Sequence, residues 1–140
     1  MVSRRGLVVL VDDLRSFVDG RPAEVVRSSA AAVELLGRLR GERIDELWLD
    51  HDLGGAEGGG GADGTGGAGR EGGAGGADTV WPVVEMLERA AFEERPFDIG
   101  VVHVHSSNPP GAAKVVQALR RWGYEVRLAT GSPAVGYTGE

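Results

Sequence analysis

The chain has 140 residues, a formal net charge of -6 and no cysteine. That length builds one ordinary domain around a single core and leaves no room for two. Without cysteine there are no disulfides, thiolate metal sites or cysteine nucleophiles. The acidic balance argues against extended binding to nucleic acid or to an anionic membrane, because no long-range positive field gathers the polyanion. It still permits a small phosphorylated ligand, provided that positive groups or a metal are concentrated at the site. The apolar run at 6–11 is too short to span a membrane and lacks a signal-cleavage pattern, so a cytoplasmic protein is expected.

Gly6-Leu-Val-Val-Leu-Val-Asp12 is a continuous, β-branched run that stops at two acids, the pattern of a strand covered on both faces. Residues 23–27 form a weaker strand candidate. Ser28 or Ser29 then caps a helix to about Arg40, with Val33, Leu35, Leu36 and Leu39 as its apolar stripe and Gly41 as its stop. Glu46–Asp50 is the next strand, again ending in acids. Residues 54–77 are almost wholly Gly, Ala, Asp and Glu, with no large apolar side chain to offset the entropy of ordering. They are expected to form a disordered loop inside a domain covering 1–130, followed by a flexible tail at 131–140. A helix resumes near Asp78 or Thr79 and runs toward Glu94, with Pro82 in the first turn, where an N–H has no helical partner anyway. Phe97–His105 is a long strand, Asn108 caps a helix to about Trp122, and Tyr124–Leu128 is the last strand.

This order implies an α/β domain with right-handed crossovers around one mostly parallel, doubly wound, five-stranded sheet. Ligands of such sheets bind beyond the carboxyl ends of the strands. The chemistry-bearing residues fall on that edge: Asp12, Asp13 and Arg15 after the first strand, Asp50, His51 and Asp52 after the third, and His105, Ser106 and Asn108 after the fourth.

Adjacent carboxylates are costly unless a cation or protons relieve their repulsion, so Asp12, Asp13 and Asp52 form a candidate site for a hard divalent metal such as Mg²⁺, against the alternative of a solvated acidic turn. No organic cofactor is indicated. His51 and His105 are candidate proton-transfer groups, because imidazole titrates near neutrality. Asp50 either orients His51 or completes the metal shell. Arg15 can grip a phosphate through its planar fork or pair with a neighbouring acid. Ser106 is a candidate donor to a phosphate oxygen. Asn108 is first a helix cap, at a helix N-terminus that itself favours an anion. His103 lies one strand period deeper than His105 and is read as core or as support behind the site. Trp48, Trp81 and Trp122 are read as core or interface.

Val11-Asp-Asp-Leu-Arg15, Leu49-Asp-His-Asp-Leu-Gly54 and Val104-His-Ser-Ser-Asn-Pro109, in this order, resemble the cyclic-phosphate processing receiver family. This family is a divergent relative of response-regulator receivers, and the likeness covers most of the chain outside the Gly-rich insert and the tail. It implies a flavodoxin-like fold of strand order 2-1-3-4-5 and hydrolysis or processing of a cyclic phosphate. Within the wider receiver pattern, Asp12 and Asp13 match metal-binding acids, Asp50 the phospho-acceptor, and Ser106 the hydroxyl residue after the fourth strand. The lysine that receivers carry after the last strand is missing, since the only lysine is Lys114. The leading expectation is therefore a cyclic phosphodiester hydrolase acting on a small phosphorylated substrate, such as a nucleotide or RNA end. The alternatives are a phosphorylated-nucleotide-binding module without turnover and a signalling domain phosphorylated on Asp50.

Overall fold

A computed structural model describes residues 7–19, 21–53, 78–106, 108–129 and 135–136. The Gly-rich insert, expected to be a disordered loop, lies outside the described residues, as does most of the tail. Ten elements follow one another: β1 Val8–Val11, β2 Ser16–Phe17, β3 Glu24–Val26, α1 Ser29–Arg38, β4 Ile44–Asp50, α2 Trp81–Phe92, β5 Ile99–His105, α3 Pro109–Arg121, β6 Val126–Leu128 and β7 Val135–Gly136. Five strands form a sheet in the order β3-β1-β4-β5-β6, with every pairing parallel. This is the expected receiver-like order and α/β class.

Local signals set the element boundaries. The Ser28 hydroxyl accepts the Ala31 N–H and starts α1, whose buried residues Ala32, Leu35 and Leu36 recur at helical spacing. The helix ends before Gly41, which sits at φ +90°, where an L side chain would be strained. β4 begins two residues earlier than Glu46, because Ile44 is fully buried and pairs with Ile99. Asp45 and Glu46, on half-exposed positions, hide that start in the sequence. α2 begins at Trp81 rather than at Asp78 or Thr79. Asp78 instead accepts hydrogen bonds from the Ser29 N–H and hydroxyl at the head of α1.

All three described helices pack on one face. Ala32, Leu35 and Leu36 of α1, Val83, Val84 and Leu87 of α2, and Ala112, Val115 and Leu119 of α3 join one core with Val9, Val11, Leu47, Leu49, Val102 and Val104 of the sheet. Right-handed crossovers explain this. The steps β3→β4, β4→β5 and β5→β6 all proceed in the same direction across the sheet, so their helices fall on the same side. Only β1→β3 runs the other way, and residues 12–23 carry β2 there instead of a helix. The sheet thus has the strand-order reversal of a doubly wound fold, with helices on one side only among the described residues.

The opposite face is covered by a smaller cluster of Val8, Leu10, Phe17 and Trp48. Phe17 meets Trp48 edge-on at 5.3 Å and is held by the short β2·β7 antiparallel ribbon, which the sequence reading does not contain. Val135–Gly136, within the segment expected to be a tail, supplies the second strand of that ribbon. Among the described residues no helix is long and apolar enough to cross a membrane.

Phe17 is the main cover over Trp48, so Phe17→Ala is expected to cost about 3 kcal/mol or more of unfolding free energy. Urea denaturation followed by tryptophan fluorescence measures it. A loss below about 1 kcal/mol would show that Phe17 does not seal this face.

Candidate functional site at the carboxyl edge of the sheet

The strand order reverses at β1, and ligand crevices form beside such a switch point at the carboxyl ends of the strands. Asp12 follows β1, Asp50 ends β4, and His105 ends β5 in register with Asp50. Strand alternation turns Asp12, Asp50 and His105 to the face that carries Leu10, Trp48 and His103. All three are almost completely buried, at 0%, 3% and 3% exposure.

The loop after β1 is shaped by Asp12 itself. Its Oδ1 accepts the N–H of Leu14 at 2.9 Å and of Arg15 at 2.7 Å, an Asx-type turn. The Arg27 guanidinium locks the same loop, donating to the carbonyls of Asp12 and Arg15 and to the Ser16 hydroxyl. Nothing in the sequence marked Arg27, because a residue ending an edge strand has no motif to announce it. Oδ2 of Asp12 is left facing the site. It lies 3.2 Å from Arg15 Nε and 3.7 Å from His105 Nε2, and it accepts no hydrogen bond among the described residues. Both ring nitrogens of His105 are likewise buried without a hydrogen-bond partner there. Arg15 also reaches Asp50 Oδ2 at 3.4 Å.

Carboxylate oxygens of Asp12, Asp13 and Asp50 lie within 4.8 Å of one another. Together with the orphaned Asp12 oxygen, this all-oxygen donor set fits a hard divalent cation. The grouping differs from the expected one by one residue. Asp50 belongs to the cluster, whereas Asp52 turns away and its Oδ1 meets His51 Nδ1 at 2.9 Å. Residues two apart in a strand share a face, so alternation alone cannot tell Asp50 from Asp52. Here Asp50 ends β4, while Asp52 lies beyond it and pairs with Thr79 in an isolated antiparallel bridge.

The structure also separates the two histidines. His51 packs on the helical side, edge-on to Trp81, with its ring against the first turn of α3. A Cβ at Gly111 would stand 2.8 Å from that ring, so only glycine admits this approach. The signal for Gly111 was present in the sequence as Asn108-Pro-Pro-Gly111, but only as a helix start. Asn108 Oδ1 accepts the Gly111 N–H, and Ser106 Oγ accepts the Asn108 N–H, so both residues first serve to shape this turn. His103 is stacked on Trp48 at 4.3 Å, within the face cluster.

Burial dominates the electrostatics. Burial, and then the Asp12 charge, raise the Asp50 pKa to about 7 against the opposing pull of Arg15. Burial pushes His105 down to about 4, outweighing the Asp12 charge that favours its protonation. His105 is therefore a neutral imidazole at pH 7. His103 is lowered as well, again chiefly by burial.

A family model for the cyclic-phosphate processing receiver domain matches residues 7–121. The chain belongs to that family. No curated protein and no solved structure matches it. For this cyclic-phosphate processing receiver domain, the match spans β1 to the end of α3 and so contains every candidate site residue.

Because Asp50 in the fold holds its proton from about pH 4 to about pH 7, ionising it lowers stability as pH rises through that window. The His105 contribution runs the opposite way, being lost as pH falls from about 6.5 toward 4, but it is shared by any Asp50 variant. In chelator, Asp50→Asn is expected to melt about 5 °C or more above wild type at pH 8, with the gap closing by pH 5. Equal melting temperatures at pH 8 would contradict the assigned burial cost.

Proposed function

We propose that this domain binds a phosphate group at the carboxyl edge of its sheet and opens a cyclic phosphodiester by attack of water. The observation that carries the reading is the His51–Asp52 pair, with the His51 ring against the first turn of α3 and directly following Asp50, the strand-end acid that Arg15 reaches. An ionised Asp52 can only accept, so a neutral His51 donates Nδ1–H to it and presents the Nε2 lone pair. In the step proposed, a water oxygen bonds to phosphorus and passes its proton to His51 Nε2. One P–O bond of the ring breaks, and the departing alkoxide takes a proton from solvent, yielding a phosphomonoester. His105, neutral and deeply buried, is better suited to shaping the Asp12 side of the site than to delivering a proton.

Asp12, Asp13 and Asp50 would hold a divalent cation, which when bound polarises phosphoryl oxygens and neutralises their developing charge. Arg15 supplies a fixed positive charge to the same oxygens, and the N-terminal turn of α3 favours an anion. The substrate class that suits this is a small cyclic phosphate, including a nucleotide or the end of an RNA. A net charge of -6 disfavours a long polyanion. Phosphorylation of Asp50 as a signalling switch is the weaker reading, since that carboxyl is 3% exposed and ion-paired, and no lysine follows β6.

A panel of 2′,3′- and 3′,5′-cyclic nucleotides and an oligoribonucleotide with a 2′,3′-cyclic end tests this by product chromatography with Mg²⁺ or Mn²⁺. His51→Ala is expected to lower kcat/KM at least about 100-fold, within the usual reach of general acid–base catalysis, and Asp52→Asn about tenfold. Turnover at the wild-type rate in His51→Ala would remove it from the reaction, and no turnover on any member alongside tight binding would favour a module without catalysis.

A further inference from the structure

The position of the Arg15 guanidinium carries a consequence for how the site fills. Nε lies 3.2 Å from Asp12 Oδ2 and a terminal nitrogen lies 3.4 Å from Asp50 Oδ2. These carboxylates also belong to the group able to hold a cation. Asp12 has no other oxygen to offer, because Oδ1 is committed to the N–H groups of Leu14 and Arg15. A divalent cation bound at the usual ~2.0–2.6 Å from oxygen would therefore share its ligand atoms with a positive side chain only about 3 Å away. A guanidinium and a divalent cation drawn to the same oxygens repel one another, which favours moving the side chain aside.

The Arg15 backbone is pinned, its N–H by Asp12 and its carbonyl by Arg27 at 2.7 Å. Its side chain keeps 25% exposure. Displacement is thus a change of rotamer, with no movement of the loop. Once displaced from the carboxylates, the guanidinium remains anchored at the rim of the same crevice, where its planar fork matches the oxygens of a phosphate. The Asp12 Oδ2 and the two His105 nitrogens, buried beside it, make no hydrogen bond among the described residues and are further groups that a ligand could satisfy.

We propose that Arg15 is the internal counter-ion of these carboxylates and passes from them to the phosphate when the cation binds, so that cation and phosphate bind cooperatively. Without the cation, Arg15 is held by the acids and the acids repel an anion. With it, the acids are neutralised and Arg15 is released toward the anion. Reciprocity then requires phosphate to tighten the cation by the same factor. The inference rests on the cation and phosphate binding proposed above but not on turnover.

Calorimetric titration of the full chain with MgCl₂, in the absence and presence of inorganic phosphate, tests it on wild type, Arg15→Ala and Arg15→Gln. The glutamine variant keeps the comparison intact if alanine impairs folding, which circular dichroism reports. In wild type, phosphate is expected to tighten Mg²⁺ at least fivefold, within the usual range of coupling between sites. Both variants are expected to bind Mg²⁺ alone as tightly as wild type or more so, and to respond to phosphate less than twofold. Arg38→Ala, which removes an exposed charge on α1, is expected to behave as wild type. Weaker Mg²⁺ binding by the Arg15 variants, undiminished coupling in them, or the same change in Arg38→Ala would overturn the exchange. Wild-type Mg²⁺ binding that ignores phosphate overturns it too, yet leaves the cation site standing. No Mg²⁺ binding at millimolar concentration overturns both. Coupling in a protein that hydrolyses nothing supports the exchange while removing the catalytic reading.

Discussion

The burial of two carboxylates side by side is the constraint on which the site depends. Asp12 and Asp50 are 0% and 3% exposed at the ends of adjacent strands. Taking a carboxylate out of water costs several kcal/mol unless charge or hydrogen bonds replace the solvent. The molecule meets part of that cost with Arg15, which touches both, and part by holding the Asp50 proton to about pH 7. The rest remains unmet in an Asp12 oxygen that is ion-paired but accepts no hydrogen bond and in a His105 ring whose nitrogens make none among the described residues. Groups left unsatisfied in this way mark a place kept for a ligand more often than a place kept for stability.

Topology explains why these groups meet. Parallel strands running the same way bring all their carboxyl ends to one edge, and the reversal at β1 opens a crevice there. The missing helix between β1 and β3 matters as much. In its place the chain folds Asp12 into its own turn, sets Arg15 over the acids and sends Phe17 to cover Trp48. The acidic face of the site and the aromatic cluster beneath it are therefore built by the same short stretch, residues 12–17.

Much of this was legible in the sequence. The unbroken apolar runs before Asp12, Asp50 and His105 announced parallel strands, and their shared edge followed from strand direction. Asn108 as a cap and the stop at Gly41 were equally plain, because their chemistry is local. Three features were not legible, since each depends on which face a side chain takes or on a distant partner. Asp50 rather than Asp52 joins the acids, because β4 ends at Asp50 and the alternation that would give both one face stops there. His51 and His105 part company because they take opposite faces, and burial leaves His105 a neutral imidazole at pH 7. The β2·β7 ribbon joins residues 16–17 to 135–136 through two-residue strands, too short for any periodicity to register.

The central proposal is that the carboxyl edge of the sheet receives a cation and a phosphate. Backbone amide NMR during addition of Mg²⁺ and then inorganic phosphate reads this directly, residue by residue. The account predicts that the first addition shifts amides at 12–15 and 49–51, and that the second extends the changes to 105–111 at the head of α3. Shifts scattered over exposed helix acids such as Glu34 and Glu85, with the strand ends unmoved, would contradict it.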